Sequence, residues 1–319
     1  MDRREFLKAI AITGAAFTIK NVGGNMDLFS QTISKSSTDA IGTTSAKYDL
    51  VAVMGGEPEV MFQKAIAELG GMSVFVKKGQ KIVVKPNIGW DKVPELAGNT
   101  NPKLIAEIVK QCLSAGAKEV KVFDNTCDDW KKCYTNSGIE TAVKKAGGIM
   151  VPAHEESYYR EISLPNAKKM KKAKIHEAIL DCDAWINVPV LKNHGGANLT
   201  ISMKNLMGIV WDRRYFHNND LQQCIADMCT LDKKAILNIV DAYRVVKTNG
   251  PRGKSETDVV NPKGLFMSQD IVAVDTAAAN FFNQIREMPL DHVAHIGNGE
   301  ALNLGTTKLE SLNVKRIKL

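Results

Sequence analysis

Four polar strings stand directly after apolar runs, and their side chains are the kinds that do chemistry. They are Lys85-Pro86-Asn87, Asp124-Asn125-Thr126, Lys192-Asn193-His194-Gly195-Gly196 and Asp241. Lysine ammoniums hold phosphate or carboxylate oxygens, whereas aspartate and histidine ligate metals or shuttle protons. The lysine and histidine beside Gly195-Gly196 could present charge and backbone N–H groups to an anion. His194, Asp124, Asp241 and Asp275 offer the imidazole and carboxylate donors that suit a divalent metal, although no H-E-x-x-H spacing joins them. G-x-x-x-x-G-K-[ST], a strand followed by G-x-G-x-x-G, and G-x-S-x-G are all absent, so none of those nucleotide or hydrolase signatures applies.

These strings need elements to bring them together. Apolar runs at 48–54, 81–85, 119–123, 149–152, 184–191, 235–240, 264–268 and 313–319 read as strands. Helical spacing occupies 58–69, 102–115, 130–146, 200–208, 220–229, 270–285 and a short stretch near 291–302. The alternation predicts an α/β fold, a mainly parallel sheet with helices on both faces and an insertion around 155–180. In such sheets ligands bind beyond the carboxyl ends of the strands, where the polar strings fall.

The 319 residues carry a net charge of +7, with 44% hydrophobic and 24% charged residues, as in an ordinary soluble globule. Part of the charge lies in Lys168-Lys169-Met170-Lys171-Lys172-Ala173-Lys174. No aromatic residues interleave there for base stacking, which argues against nucleic acid and for a solvated face. The six cysteines, at 112, 127, 133, 182, 224 and 229, include no C-x-x-C pair. That disfavours an iron–sulfur cluster, while Cys127 and Cys133 flank a polar loop and could be free thiols, a disulfide or metal ligands.

At the N-terminus, Arg3-Arg4-Glu5-Phe6-Leu7-Lys8 precedes an uncharged apolar stretch, 9–19. This resembles a twin-arginine (Tat) export signal and is well short of the ~20 residues of a spanning helix. Residues 1–46 are therefore expected to be signal and flexible tether, and 47–319 one α/β domain. The implied setting is periplasmic or extracytoplasmic, with the Tat translocase as export partner and a membrane tether if the signal stays uncleaved.

Taken together, Lys85-Pro86-Asn87, the 183–194 string, Thr200-Ile201-Ser202-Met203-Lys204-Asn205-Leu206-Met207-Gly208, Ile239-Val240-Asp241 and the stretch from Ser268 to Asp275 resemble the domain of unknown function 362 family. The likeness covers roughly 48–285. It implies Lys85, Asn87, Lys192, His194, Lys204, Asn205, Asp241 and Asp275 as site residues. Members often carry a twin-arginine signal and some carry ferredoxin-type motifs, of which this chain has only the first. The expectation is an enzyme or enzyme-accessory factor that binds a small anionic ligand with a divalent metal. Lys192, His194 and Asp241 would be its chemical groups; Lys85, Asn87, Lys204 and Asn205 would hold the ligand. The alternatives are a redox or maturation protein using its cysteines and a solute-binding module.

Overall fold

The inner strands of the principal sheet bury both faces, which is why they read as continuous apolar runs. The computed structural model describes residues 47–319; the twin-arginine string and tether lie outside the described residues. In chain order the strands are β1 (Leu50–Met54), β2 (Lys81–Pro86), β3 (Glu119–Val122), β4 (Ile149–Met150), β5 (Tyr159–Ser163), β6 (Lys172–His176) and β7 (Ala184–Val188). Then come β8 (Val190–His194), β9 (Asn198–Thr200), β10 (Leu237–Val246), β11 (Val259–Val260), β12 (Gly264–Ser268) and β13 (Val314–Lys318). The sheet is ordered β13-β1-β12-β10-β7-β2-β3-β4, with β8 and β11 also on β10 and β9 on β8.

Most neighbours along this path are parallel. The exception is β12, antiparallel to both β1 and β10. The chain reverses after β10 through the short β11 pairing and has no crossover helix there, so a parallel return is not available.

Side chains alternate across the sheet and create two cores. Val51, Val53, Ile82, Val84, Val120 and Val122 pack with α1 (Pro58–Glu68) and α2 (Pro102–Ser114) on one face. Leu50, Ala52, Val83, Trp185 and Val240 pack on the other face. There they meet α3 (Ser202–Asn205), α4 (Leu221–Met228) and α5 (Ile271–Ile285). This is the α/β arrangement expected, with helices on both faces. The α2 helix shows why the local sequence works. Asn101 caps it by accepting from the Lys103 N–H at 3.0 Å, Pro102 opens it, and Ile105, Ile108, Val109 and Cys112 form its buried stripe.

The expected insertion is a separate antiparallel ribbon, β5 with β6, beside the main sheet. Its basic run is pinned and largely paired. The Asp227 carboxylate accepts the backbone N–H groups of Lys168, Lys169 and Met170 at 2.9, 2.6 and 2.8 Å. Lys172 pairs with Glu161 and Lys174 with Glu156.

Three expected elements differ. Residues 130–146 form two helices, Trp130–Asn136 and Ile139–Lys145, broken where Gly138 takes φ +73°, a conformation glycine adopts without strain. The run 184–191 is two strands, because Pro189 lacks an N–H and interrupts the ladder; its carbonyl instead accepts the Asp241 N–H at 2.9 Å. Consequently Lys192 and His194 lie within β8. Finally, β10 continues to Val246, which puts Asp241 inside a strand rather than after one.

Candidate functional site

At the carboxyl ends of β2, β3 and β7 the strand spacing sets Lys85 and Asn187 side by side, paired in register on one face. Above them sits α3, whose start is held by the fully buried Asp275 of α5. Its two oxygens accept the N–H groups of Ser202 and Met203, each at 2.8 Å. That bond fixes Lys204 and Asn205 over the strand ends. The Asn205 amide donates to Asn187 Oδ1 at 2.9 Å, and Asn187 in turn donates to Asn238 Oδ1 at 3.0 Å. A buried chain of amides thus ties α3 to two strands, β7 and β10.

Lys85 is completely buried and fully used. Its Nζ lies 2.9 Å from Asp124 Oδ1 and donates to Asn205 O at 2.7 Å and Asn205 Oδ1 at 2.9 Å. The other Asp124 oxygen accepts the Ile88 N–H at 2.6 Å. Burial lowers the Lys85 pKa, and Asp124 opposes that shift. Gly208 explains the end of the 200–208 string: a Cβ there would meet Asp124 Oδ1 at 1.9 Å and Lys85 Nζ at 2.4 Å.

Over this floor opens a cavity of about 370 Å³, in the range of small-molecule sites. Lys85, Asn87, Asp124, Lys192, His194, Lys204 and Asn205 all line it, with Trp90, Cys127, Arg213, Arg214 and His217 among the others. Five lysine and arginine side chains share the lining with one carboxylate, Asp124. Lys192 donates to Asn87 Oδ1 at 3.0 Å and to Gly98 O at 2.5 Å. Two of its three protons are used, and burial takes its pKa down to about 7. Lys204 is lowered to about 8, by burial first and by Arg213 and Lys85 among its neighbours. Among the described residues Lys204 Nζ has no hydrogen-bond or ion-pair partner.

His194 has a defined tautomer. Its Nδ1 accepts the N–H groups of Gly196 and Ala197, both at 3.1 Å, so the proton sits on Nε2. Burial and the lysines Lys204 and Lys192 push its pKa to about 2, which keeps the ring neutral and Nε2–H a donor. This corrects the expected role of the glycine pair. Residues 194–198 are the turn of the β8–β9 hairpin, and the Gly196 and Ala197 N–H groups orient His194.

Two expected site residues lie outside the cavity lining. Asp241 accepts the N–H groups of Asn101 at 2.7 Å and Tyr243 at 3.0 Å, bracing the loop that leads into α2; burial raises it to about 6. Asp275 holds α3, as described, and is raised by burial to about 7. The expected metal set of Asp124, His194, Asp241 and Asp275 is therefore not assembled. Both braces are occupied by backbone N–H groups, Asp124 is paired with Lys85, and the lysines and arginines of the lining are cationic. Among the described residues no group of three or more His, Cys, Asp or Glu side chains is placed to hold a metal ion. The cysteines do not fit a cluster either. All six are free, five of them buried; only Cys127 lines the cavity, and Cys133 has its thiol pushed to about 12 by burial.

Sequence reasoning missed Arg213 and Arg214. Arg213 donates to Asn125 O at 2.9 Å, to Thr126 O at 2.5 Å and to Cys127 Sγ at 3.0 Å, which shapes the loop after β3. The available signal was the doubled arginine in Trp211-Asp212-Arg213-Arg214-Tyr215, just beyond the 200–208 string.

The profile of the family described as Domain of unknown function (DUF362) matches residues 82–280. The chain belongs to the DUF362 family. The DUF362 match spans every residue of the cavity lining, from Lys85 to Pro251, and both carboxylate braces. A relative, Thylakoid-associated protein sll1697 of Synechocystis sp., is 27% identical over 216 residues, 65% of this chain. The chain spans 64% of that relative's length. Among solved structures, the lactate racemase apoprotein from Thermoanaerobacterium thermosaccharolyticum is similar at a TM-score of 0.43 and 13% identity, over 70% of this chain and 55% of that one.

Proposed function

We propose that the protein captures a small carboxylate- or phosphate-bearing ligand in the cationic cavity, as an enzyme or an enzyme-accessory factor. The observation that carries this reading is Lys204, an ammonium set in the cavity wall with no partner among the described residues. Half-buried and set among other cations, this ammonium lacks a counter-ion, and an anion supplies one. Lys192 has one proton to spare, His194 Nε2–H is a neutral donor, and Arg214 stands exposed at the rim. A divalent metal is no longer needed to bind the anion, since the cations are supplied by the chain.

The test is a thermal-shift series with the full chain against malonate, inorganic phosphate and pyrophosphate. A ligand that binds only the folded state raises the melting temperature in proportion to RT ln(1 + [L]/Kd). A dose-dependent rise with at least one of these, lost in His194→Ala, is expected. No shift with any of them overturns the reading.

The work is further proposed to take place outside the cytoplasm after delivery by the Tat translocase, on the strength of Arg3-Arg4-Glu5-Phe6-Leu7-Lys8. The thylakoid association in the relative's name agrees with a life at or beyond a membrane. Among the described residues no helix is long and apolar enough to cross one. Replacing Arg3 and Arg4 by lysine should leave the protein in the cytoplasmic fraction; unchanged export would contradict the proposal.

A further inference from the structure

The three lysines of the cavity differ in what holds them. Lys85 is locked by Asp124 and two Asn205 oxygens, and Lys192 is anchored by Asn87 and Gly98. Of the three, Lys204 alone has an amine with no partner among the described residues, on a short helix fixed at its start by Asp275. An anion site needs charge but does not need an untethered amine. An untethered amine beside other cationic groups, here Arg213 and Lys85, is an arrangement that turns a lysine into a nucleophile. The remaining lining fits a carbonyl compound that also bears an acid. Lys192 and Arg214 supply positive charge for an acid group, His194 Nε2–H can donate to a carbonyl or hydroxyl oxygen, and Trp90 and Met207 offer apolar surface for a short carbon skeleton.

We propose that the ligand is a small oxo acid and that Lys204 Nζ forms a reversible imine with its carbonyl carbon; this rests on the anion-binding reading of the same cavity. The Lys204 nitrogen pair makes the new C–N bond as the carbonyl π bond breaks toward oxygen. A proton then passes from nitrogen to that oxygen, giving a carbinolamine. The hydroxyl leaves as water with one proton taken from the Lys192 ammonium, and the nitrogen pair closes the protonated imine. No oxidant or reductant is consumed. The depressed pKa of Lys204, about 8, supplies a useful fraction of free amine near neutrality.

The experiment incubates the full chain with glyoxylate, pyruvate or 2-oxoglutarate, adds sodium borohydride and maps the modified lysines by peptide mass. In parallel, malonate, which has no ketone, is titrated calorimetrically. The expected result is an adduct concentrated on Lys204, roughly tenfold above the same peptide from unfolded protein, and suppressed by malonate. Lys204→Arg should bind malonate and lose the adduct. If that variant does not fold, the map of the unaltered chain decides. Malonate binding without labelling of Lys204, or with labelling only of Lys192 or surface lysines, overturns the imine and leaves the anion site standing. Neither malonate binding nor labelling brings both down.

Discussion

Lys85 and Lys204 project into the same cavity from two different regions, and their surroundings are opposite. The floor, made by the ends of β2, β3 and β7, satisfies its polar groups internally: Lys85 with Asp124, Asn205 with Asn187, Asn187 with Asn238. The wall, made by α3 and the β8–β9 hairpin, leaves donors over: Lys204 Nζ, one Lys192 proton and His194 Nε2–H. The contrast teaches that a lysine lining a cavity has two uses. Where its partners are complete it fixes the fold, and where they are missing it awaits a ligand.

Substitutions that treat the two regions alike should therefore give different results. The largest effect is expected at the floor. Lys85→Met strands Asp124 as a buried unpaired charge and should cost about 4 kcal/mol in urea unfolding. A change below about 1 kcal/mol would erase the distinction between floor and wall. Next, Asp275→Ala leaves the buried Ser202 and Met203 N–H groups without acceptors, for a loss of about 3 kcal/mol. Circular dichroism on denaturant titration reads that loss directly.

At the wall the order reverses. Lys204→Met should leave the melting temperature unchanged or raised, because it removes an unpaired charge. It should weaken anion binding by about 30-fold, as expected for a charged hydrogen bond of about 2 kcal/mol. The pH dependence sharpens the same point. Anions bind the ammonium forms of Lys192 and Lys204, whose folded values lie near 7 and 8. Affinity should be full below pH 6 and fall as pH rises through 7 to 9, with proton uptake on binding measurable by calorimetry in two buffers of different ionisation heat. A rise in affinity over that range would contradict the assignment. The smallest effect belongs to the exposed Arg214, where Arg214→Ala should cost only about two- to threefold and most of that should vanish in high salt.

How far the sequence reveals this depends on the kind of signal. The α/β class, both helix layers and the strand-end location follow from apolar periodicity, and Lys85, Lys192, His194, Lys204 and Asn205 follow from the polar strings at those ends and the family likeness. Asp241 and Asp275 read as chemical groups because a carboxylate looks the same in sequence whether it meets a ligand or a backbone N–H. Only the fold shows that Asn101, Tyr243, Ser202 and Met203 occupy them. The run 184–191 reads as a single strand, and that Pro189 divides it and the chain continues as β8, with Lys192 and His194 inside, depends on pairing to β10 and β9. Arg213 escaped notice because it acts across 86 to 88 residues of chain, on carbonyls and a thiol that leave no local pattern.

The central claim, an anion held at the wall by Lys204, is tested most directly by calorimetric titration of malonate and inorganic phosphate into the full chain and into Lys204→Met, at low salt and pH 6.5. The account predicts saturable binding of at least one of them at one site per chain, weakened by about 30-fold in the variant, with the unfolding transition intact. Equal affinity in both proteins would contradict it.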